Sequence, residues 1–148
     1  MWWFSSLQLT PRFSPPPRPR IPPLETRVLA AAAAPLADEK KAIDIRVFDV
    51  EDRIKVADYF LVCTGTSRPH VRAIIDELHI RLKAAGAHHS RAEGMDTGWW
   101  VLLDYGDVVV HVLQPDAREF YSLEELYEGC EELNWQEIAL PELPEVAQ

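Results

Sequence analysis

Cysteine, glycine and long apolar runs are the scarce features of this 148-residue chain. Its two cysteines, Cys63 in an apolar run and Cys130 in an acidic one, supply neither a disulfide framework nor metal-ligand spacing, so a reducing compartment is the default. The chain has six glycines, the TGTS turn at residues 64–67 holds too few of them for a phosphate-cradling loop, and no stretch is long and apolar enough to span a bilayer. Base is scarce too, since nine acids and no Lys or Arg follow Arg118. The net charge of −9 divides into +3 on residues 1–23 and −12 on the remainder. That balance argues against direct nucleic-acid binding, which needs clustered Lys and Arg, and makes a basic protein the natural complement.

What the chain does have is a strong β-hairpin signal. WWVLLDYGDVVVHVL, from Trp99 to Leu113, reads as two strands joined by a Tyr-Gly-Asp turn, rich in branched and aromatic residues. Val108, Val109 and Val110 are continuously apolar, which predicts a strand covered on both faces by other elements. Adjacent residues on a strand point to opposite faces, so Trp99 and Trp100 cannot both enter one core, and one of them is a candidate contact residue.

Other elements follow in order. Residues 1–23 hold seven prolines and three arginines and read as an extended, disordered leader. Their lack of acid is compatible with an organelle transit peptide, though the prolines spoil an amphipathic helix; a wrongly assigned start is equally compatible. Residues 24–37 read as a short helical or irregular lead-in that Pro35 interrupts. IDIRVFDV from Ile43 alternates as a strand with Ile43, Ile45 and Val47 on one face, and YFLVCT, Tyr59 to Thr64, reads as an interior strand. Thr66 or Ser67 then caps a helix whose stripe is Val71, Ile74, Ile75, Leu78 and Leu82, with Pro69 in its first turn and Gly86 as its stop. His88 to Gly98 reads as a loop or short strand, and Ser122 with Glu125 as a capping box before a last short helix. Residues 129–148 read as an acidic, loosely held tail. The fold class is α/β, a mixed sheet flanked by helices.

Candidate chemistry is thin. Asp104 and Asp107 invite comparison with paired magnesium ligands, but aspartates beside a glycine turn have a local use in bonding nearby backbone. His111 within a valine strand reads as a core histidine, His88 and His89 as solvated, and Cys63 as a small buried residue rather than a nucleophile. Neither metal nor cofactor is expected.

Four ordered stretches carry more weight together than any alone. KKAIDIRVFDV (40–50), ADYFLVCTGTS (57–67), WVLLDYGDVVVHV (100–112) and PDAREFYSLEEL (115–126) resemble, in order and spacing, the ribosomal silencing factor family, also called Iojap. The similarity covers residues 38–128. It implies a fold related to nucleotidyltransferases but without their catalytic residues, and a non-enzymatic role. Family members attach to the large ribosomal subunit through its fourteenth protein, block subunit joining and lower translation under nutrient limitation. Resemblance and side-chain type together point to Trp100, Leu102, Asp104 and Tyr105, with Asp107 and His70, as the partner-binding set. Trp100 would be the apolar anchor, with Leu102 on its face and the aspartates meeting Lys or Arg. Two departures from the family pattern are Pro35 in the first helix and Tyr127 where a tryptophan is usual.

A nucleotidyltransferase-like enzyme using Asp104, Asp107 and the TGTS turn, and a large-subunit assembly factor, are the alternatives. A homodimer, a bacterial-type cytoplasm and, if the leader is a transit peptide, a plastid or mitochondrion are further expectations.

Overall fold

The computed structural model describes residues 24–54, 56–89, 91–144 and 146. The leader expected over residues 1–23 lies outside them. In chain order the elements are α1 (Thr26–Glu39), β1 (Ile43–Asp49), β2 (Tyr59–Thr64), α2 (Arg68–Ala84), β3 (Arg91–Glu93), β4 (Trp100–Asp104), β5 (Val108–Leu113), α3 (Pro115–Tyr121) and α4 (Leu123–Leu126), followed by a 3-10 turn at Trp135–Glu137.

The mixed sheet with flanking helices is as expected. Five strands run in the order β1-β2-β5-β4-β3, with β2 and β5 parallel and every other pair antiparallel. Parallel neighbours need a crossover, which α2 and the β3–β4 segment provide between β2 and β5. β5 is central and all six of its residues are buried, which accounts for its unbroken apolar run.

The two sheet faces are closed differently. On one, Leu61, Cys63, Val101, Leu103, Val108, Val110 and Val112 meet α1 and the α2 stripe of Val71, Ile74, Ile75, Leu78 and Leu82. On the other, among the described residues, Phe48, Phe60, Val62, Val109 and Leu113 are covered by Ala117 of α3, Leu123 of α4 and nearby loops, with Trp100, Leu102 and Tyr127 at the margin. Short covering elements leave part of this second face accessible.

Four sequence expectations are corrected. Pro35 does not interrupt α1, which runs through it to Glu39. A mid-helix proline costs about 3 kcal/mol, but Ala30 to Ala34, Leu36 and Ala37 are almost wholly buried against sheet and α2, and that packing outweighs the lost hydrogen bond. Ile43 does not join the face of Ile45 and Val47. A register shift between Ile43 and Arg46, with Asp44 at φ +49°, turns its side chain outward, as bulges do. The capping box is not formed: Ser122 is left-handed and its hydroxyl donates to Glu119 O rather than capping α4. Finally, part of the acidic tail is pinned. Asp49 N–H donates to Glu131 O at 2.8 Å and Leu133 N–H to Val47 O at 2.7 Å, so residues 131–133 cover the free edge of β1. Arg46 adds two bonds to the Glu132 carboxylate, at 2.8 and 3.2 Å.

Arg118 fixes α3 to the sheet from a nearly buried position. Its guanidinium donates to Asp44 O at 2.7 Å and Thr64 Oγ1 at 2.9 Å, and pairs with the carboxylates of Asp44 and Glu124. Each partner lies on a different element, so α3 docks in one orientation.

A candidate docking face

Alternation along β4 sends Val101 and Leu103 to the helix-covered face and Trp100, Leu102 and Asp104 to the other. Trp100, Leu102 and Asp104 are each half-buried and stand in one row, with His111 across from Leu102 on β5 and Glu93 across from it on β3. Asp104 pairs with Arg91, whose guanidinium is 3.9 Å from its carboxylate and 3.3 Å from that of Glu93. An apolar pair thus sits beside a carboxylate held next to an exposed arginine.

Trp100 is oriented from below. Its indole N–H donates to His111 Nδ1 at 3.1 Å, and its ring lies 4.5 Å from that of Tyr121. His111 is buried against the Phe60 ring at 4.6 Å, and burial pulls its pKa down to about 4, so the imidazole is neutral and able to accept. With Nδ1 accepting, the ring proton is on Nε2, a buried atom without a hydrogen-bond partner.

Asp104 also serves its turn: Oδ1 accepts from Gly106 N–H at 2.8 Å, and Gly106 has φ +89°, which suits glycine. Gly94 supports the row from outside. At φ +86° its missing Cβ would fall 2.0 Å from Trp100 O, so only glycine lets this loop lie against the start of β4.

Three residues of the expected set stand elsewhere. Tyr105 continues the Val101 and Leu103 face and packs into the helix-covered core; its hydroxyl is buried without a partner, and burial raises its pKa. Asp107 is exposed at the far end of the hairpin, with Thr26 Oγ1 3.5 Å from its carboxylate, and its backbone carbonyl accepts from Asp58 and Tyr59 N–H. His70 is a tie between elements. Thr66 N–H donates to its Nδ1 at 2.8 Å, which leaves Nε2–H to donate to Lys40 O at 2.7 Å.

The expected cap at Ser67 is present, accepting from His70 N–H at 3.2 Å. The TGTS turn therefore spends Thr66 N–H and Ser67 Oγ on α2 itself. Cys63 is fully buried, and burial pushes its thiol up to about 12, in keeping with the packing role read from sequence. His88 is exposed as expected, but His89 is not simply solvated: its Nδ1 lies 3.1 Å from that of His79 and its ring faces Tyr105.

Sequence reasoning missed the extension of this face. Trp99, Phe120 and Tyr121 are 38%, 74% and 39% exposed and form a contiguous aromatic cluster with Trp100, with ring centroids 4.5 to 6.3 Å apart. The available signal was FY at the end of the DAREFY helix, where two adjacent aromatics cannot both turn inward.

The fold and this face define a small α/β protein whose candidate site is a docking surface of aromatic, aliphatic and carboxylate groups. The family model for the ribosomal silencing factor during starvation matches residues 23–148, and the chain belongs to that family. It is 45% identical over 95 residues to the ribosomal silencing factor RsfS of Bacillus subtilis, covering 64% of this chain and 80% of that protein. It is 41% identical over 90 residues to RsfS of Haemophilus influenzae, covering 61% and 88%. A solved structure from Chromobacterium violaceum superposes with a TM-score of 0.68 at 34% identity, covering 70% of this chain and 87% of that one.

Proposed function

We propose that this protein is a non-enzymatic silencing factor that docks on the fourteenth protein of the large ribosomal subunit and, by occupying that surface, blocks subunit joining and represses translation under nutrient limitation. The observation that carries this reading is the half-open row of Trp100, Leu102 and Asp104 in a chain of the silencing-factor family. Trp100 is a large apolar anchor with its N–H already satisfied by His111, so it can enter a partner pocket without stranding a donor. Asp104 and the −12 charge of residues 24–148 complement a basic partner and favour encounter. The relation to nucleotidyltransferases belongs to the same reading, as a shared scaffold without the chemistry; Asp104 and Asp107 are engaged with different groups.

The test is binding of the full chain to the isolated fourteenth protein and to large subunits, alongside light scattering of subunit joining. The expected result is binding at low salt and a block to joining, both lost in a folded Trp100→Ala variant. No binding and no effect on joining would overturn the proposal. Binding confined to precursor particles would favour an assembly role instead.

A further inference from the structure

His79 and His89 stand ten residues apart with no metal-ligand motif around them, yet the fold brings their rings together away from the docking face. The cause is local. A Schellman turn closes α2: Gly86 N–H donates to Lys83 O at 3.0 Å and Ala87 N–H to Leu82 O at 2.8 Å, with Gly86 at φ +95°. The chain therefore reverses onto the last turns of α2. There Ala87 packs on the helix-covered core, and the His89 ring makes a T-shaped contact with Tyr105, centroids 6.0 Å apart. His79 is thus presented by a helix and His89 by a segment held through Ala87 and Tyr105.

We propose that His79 and His89 form a two-histidine site for a divalent transition-metal ion of the zinc class, ligated through Nδ1 of each ring. The ring geometry is that of a chelate. The two Nδ1 atoms are 3.1 Å apart and the ring centroids 4.7 Å, with the planes at 70°. A straight N–H···N hydrogen bond of this length, running through both rings, would put their centres about 5.4 Å apart. The rings instead converge. A metal about 2.05 Å from both nitrogens would subtend about 98° between them, an angle between square-planar and tetrahedral, and on each lone-pair axis would set the ring centres about 4.8 Å apart.

Donor chemistry agrees. Two neutral imidazoles protonated at Nε2 aim two lone pairs at one point, an arrangement that repels unless a proton or a cation lies between them. Imidazole nitrogen favours zinc, copper and nickel over hard, oxygen-seeking ions such as Mg2+. Among the described residues no third His, Cys, Asp or Glu completes the set, so water or a further ligand takes the remaining positions. Binding ties α2 to the segment leading into β3 and stabilises the folded chain. The site lies on the helix-covered side with Tyr105, so it stands whether or not the Trp100 row docks on a ribosomal protein.

The experiment titrates zinc chloride into the chelator-treated full chain by calorimetry and follows the histidine side-chain nitrogens by NMR. The expected result is one zinc per chain, with the Nδ1 signals of His79 and His89 both moving to metal-bound positions. Those of His70 and His111, which already accept from Thr66 N–H and the Trp100 indole, should stay in place. His79→Gln and His89→Gln, each checked for folding by circular dichroism, should weaken binding about tenfold or more, at least the cost of losing an outer-shell partner. His88→Gln and Cys130→Ser should leave it unchanged. The thermal midpoint of the wild type should rise with zinc and not with the same concentration of Mg2+. The ring signals of the wild type decide the ligands even where a variant fails to fold. No saturable binding at millimolar zinc, full affinity in both histidine variants, coordination by His88 in place of His89, or the same shifts with Mg2+ would overturn the proposal.

Discussion

Acid should weaken this fold through His111, and the size of the effect follows from its burial. The imidazole is neutral in the folded chain, with its pKa pulled from 6.5 to about 4 by desolvation. An unfolded chain takes up that proton at about 6.5, so between these values the unfolded state binds more protons than the folded one. Stability is full above pH 6.5 and falls as pH drops toward 4, where the loss reaches about 3 kcal/mol at 1.36 kcal/mol per unit. His111→Gln removes the titration and keeps an acceptor for the Trp100 indole. Urea unfolding followed by circular dichroism, at pH 7 and pH 4.5, isolates the contribution, because titrating carboxylates are common to both proteins. The wild-type drop in stability should exceed the variant's by about 2 to 3 kcal/mol. Equal drops would refute the reasoning. In the folded chain His111 stays neutral until pH falls to about 4, so its bond to the Trp100 indole, and partner binding with it, should hold down to that pH wherever the chain remains folded.

Further substitutions separate docking from folding. Tyr105→Phe removes a buried, unpartnered hydroxyl and should raise stability by about 1 kcal/mol in urea unfolding, with partner affinity unchanged in calorimetry. Gly94→Ala drives a Cβ against Trp100 O and should cost about 2 kcal/mol or more, with the Trp100 indole NMR signal displaced. Asp104→Asn can still accept from Gly106 N–H but carries no charge. It should fold normally by circular dichroism and bind the basic partner with a slower on-rate and weaker salt dependence in surface plasmon resonance.

Elements whose pattern is set by local burial were legible in the sequence. The α2 stripe, its Ser67 cap, the β4–β5 hairpin and the doubly covered β5 all follow from periodicity and capping chemistry. Features decided by distant contacts were not. Pro35 reads as a breaker until the surrounding alanines are seen to be buried, and Ile43 reads as core until the bulge at Asp44 shifts its parity. The tail reads as solvated because its charge is visible and its pairing with β1 is not. Of the candidate site, Trp100, Leu102 and Asp104 share a face because strand parity dictates it. Tyr105 fails by that same parity, and His70 and Asp107 sit near the sheet's ends rather than on its open face.

The two tryptophans show where parity stops being a guide. Opposite directions for Trp99 and Trp100 assume that both lie in the strand, but β4 begins at Trp100. Gly98 at φ +65° turns the chain before it. Gln114 then anchors the entry, with its backbone N–H donating to Trp99 O at 2.9 Å and its side chain to Gly98 O at 2.8 Å. Freed from the strand's alternation, the Trp99 ring comes within 5.7 Å of Tyr121, the residue that also contacts Trp100. Both tryptophans therefore serve one surface, one standing on the sheet and one at its entrance. The aromatic area available to a partner is wider than a single anchor on β4 provides, and it ends at α3, whose position Arg118 fixes through β1, β2 and α4. Arg118→Met should then weaken partner binding through the Tyr121 side of the surface even where Trp100 is untouched. Retained affinity in a folded Arg118→Met variant would confine the docking surface to β4.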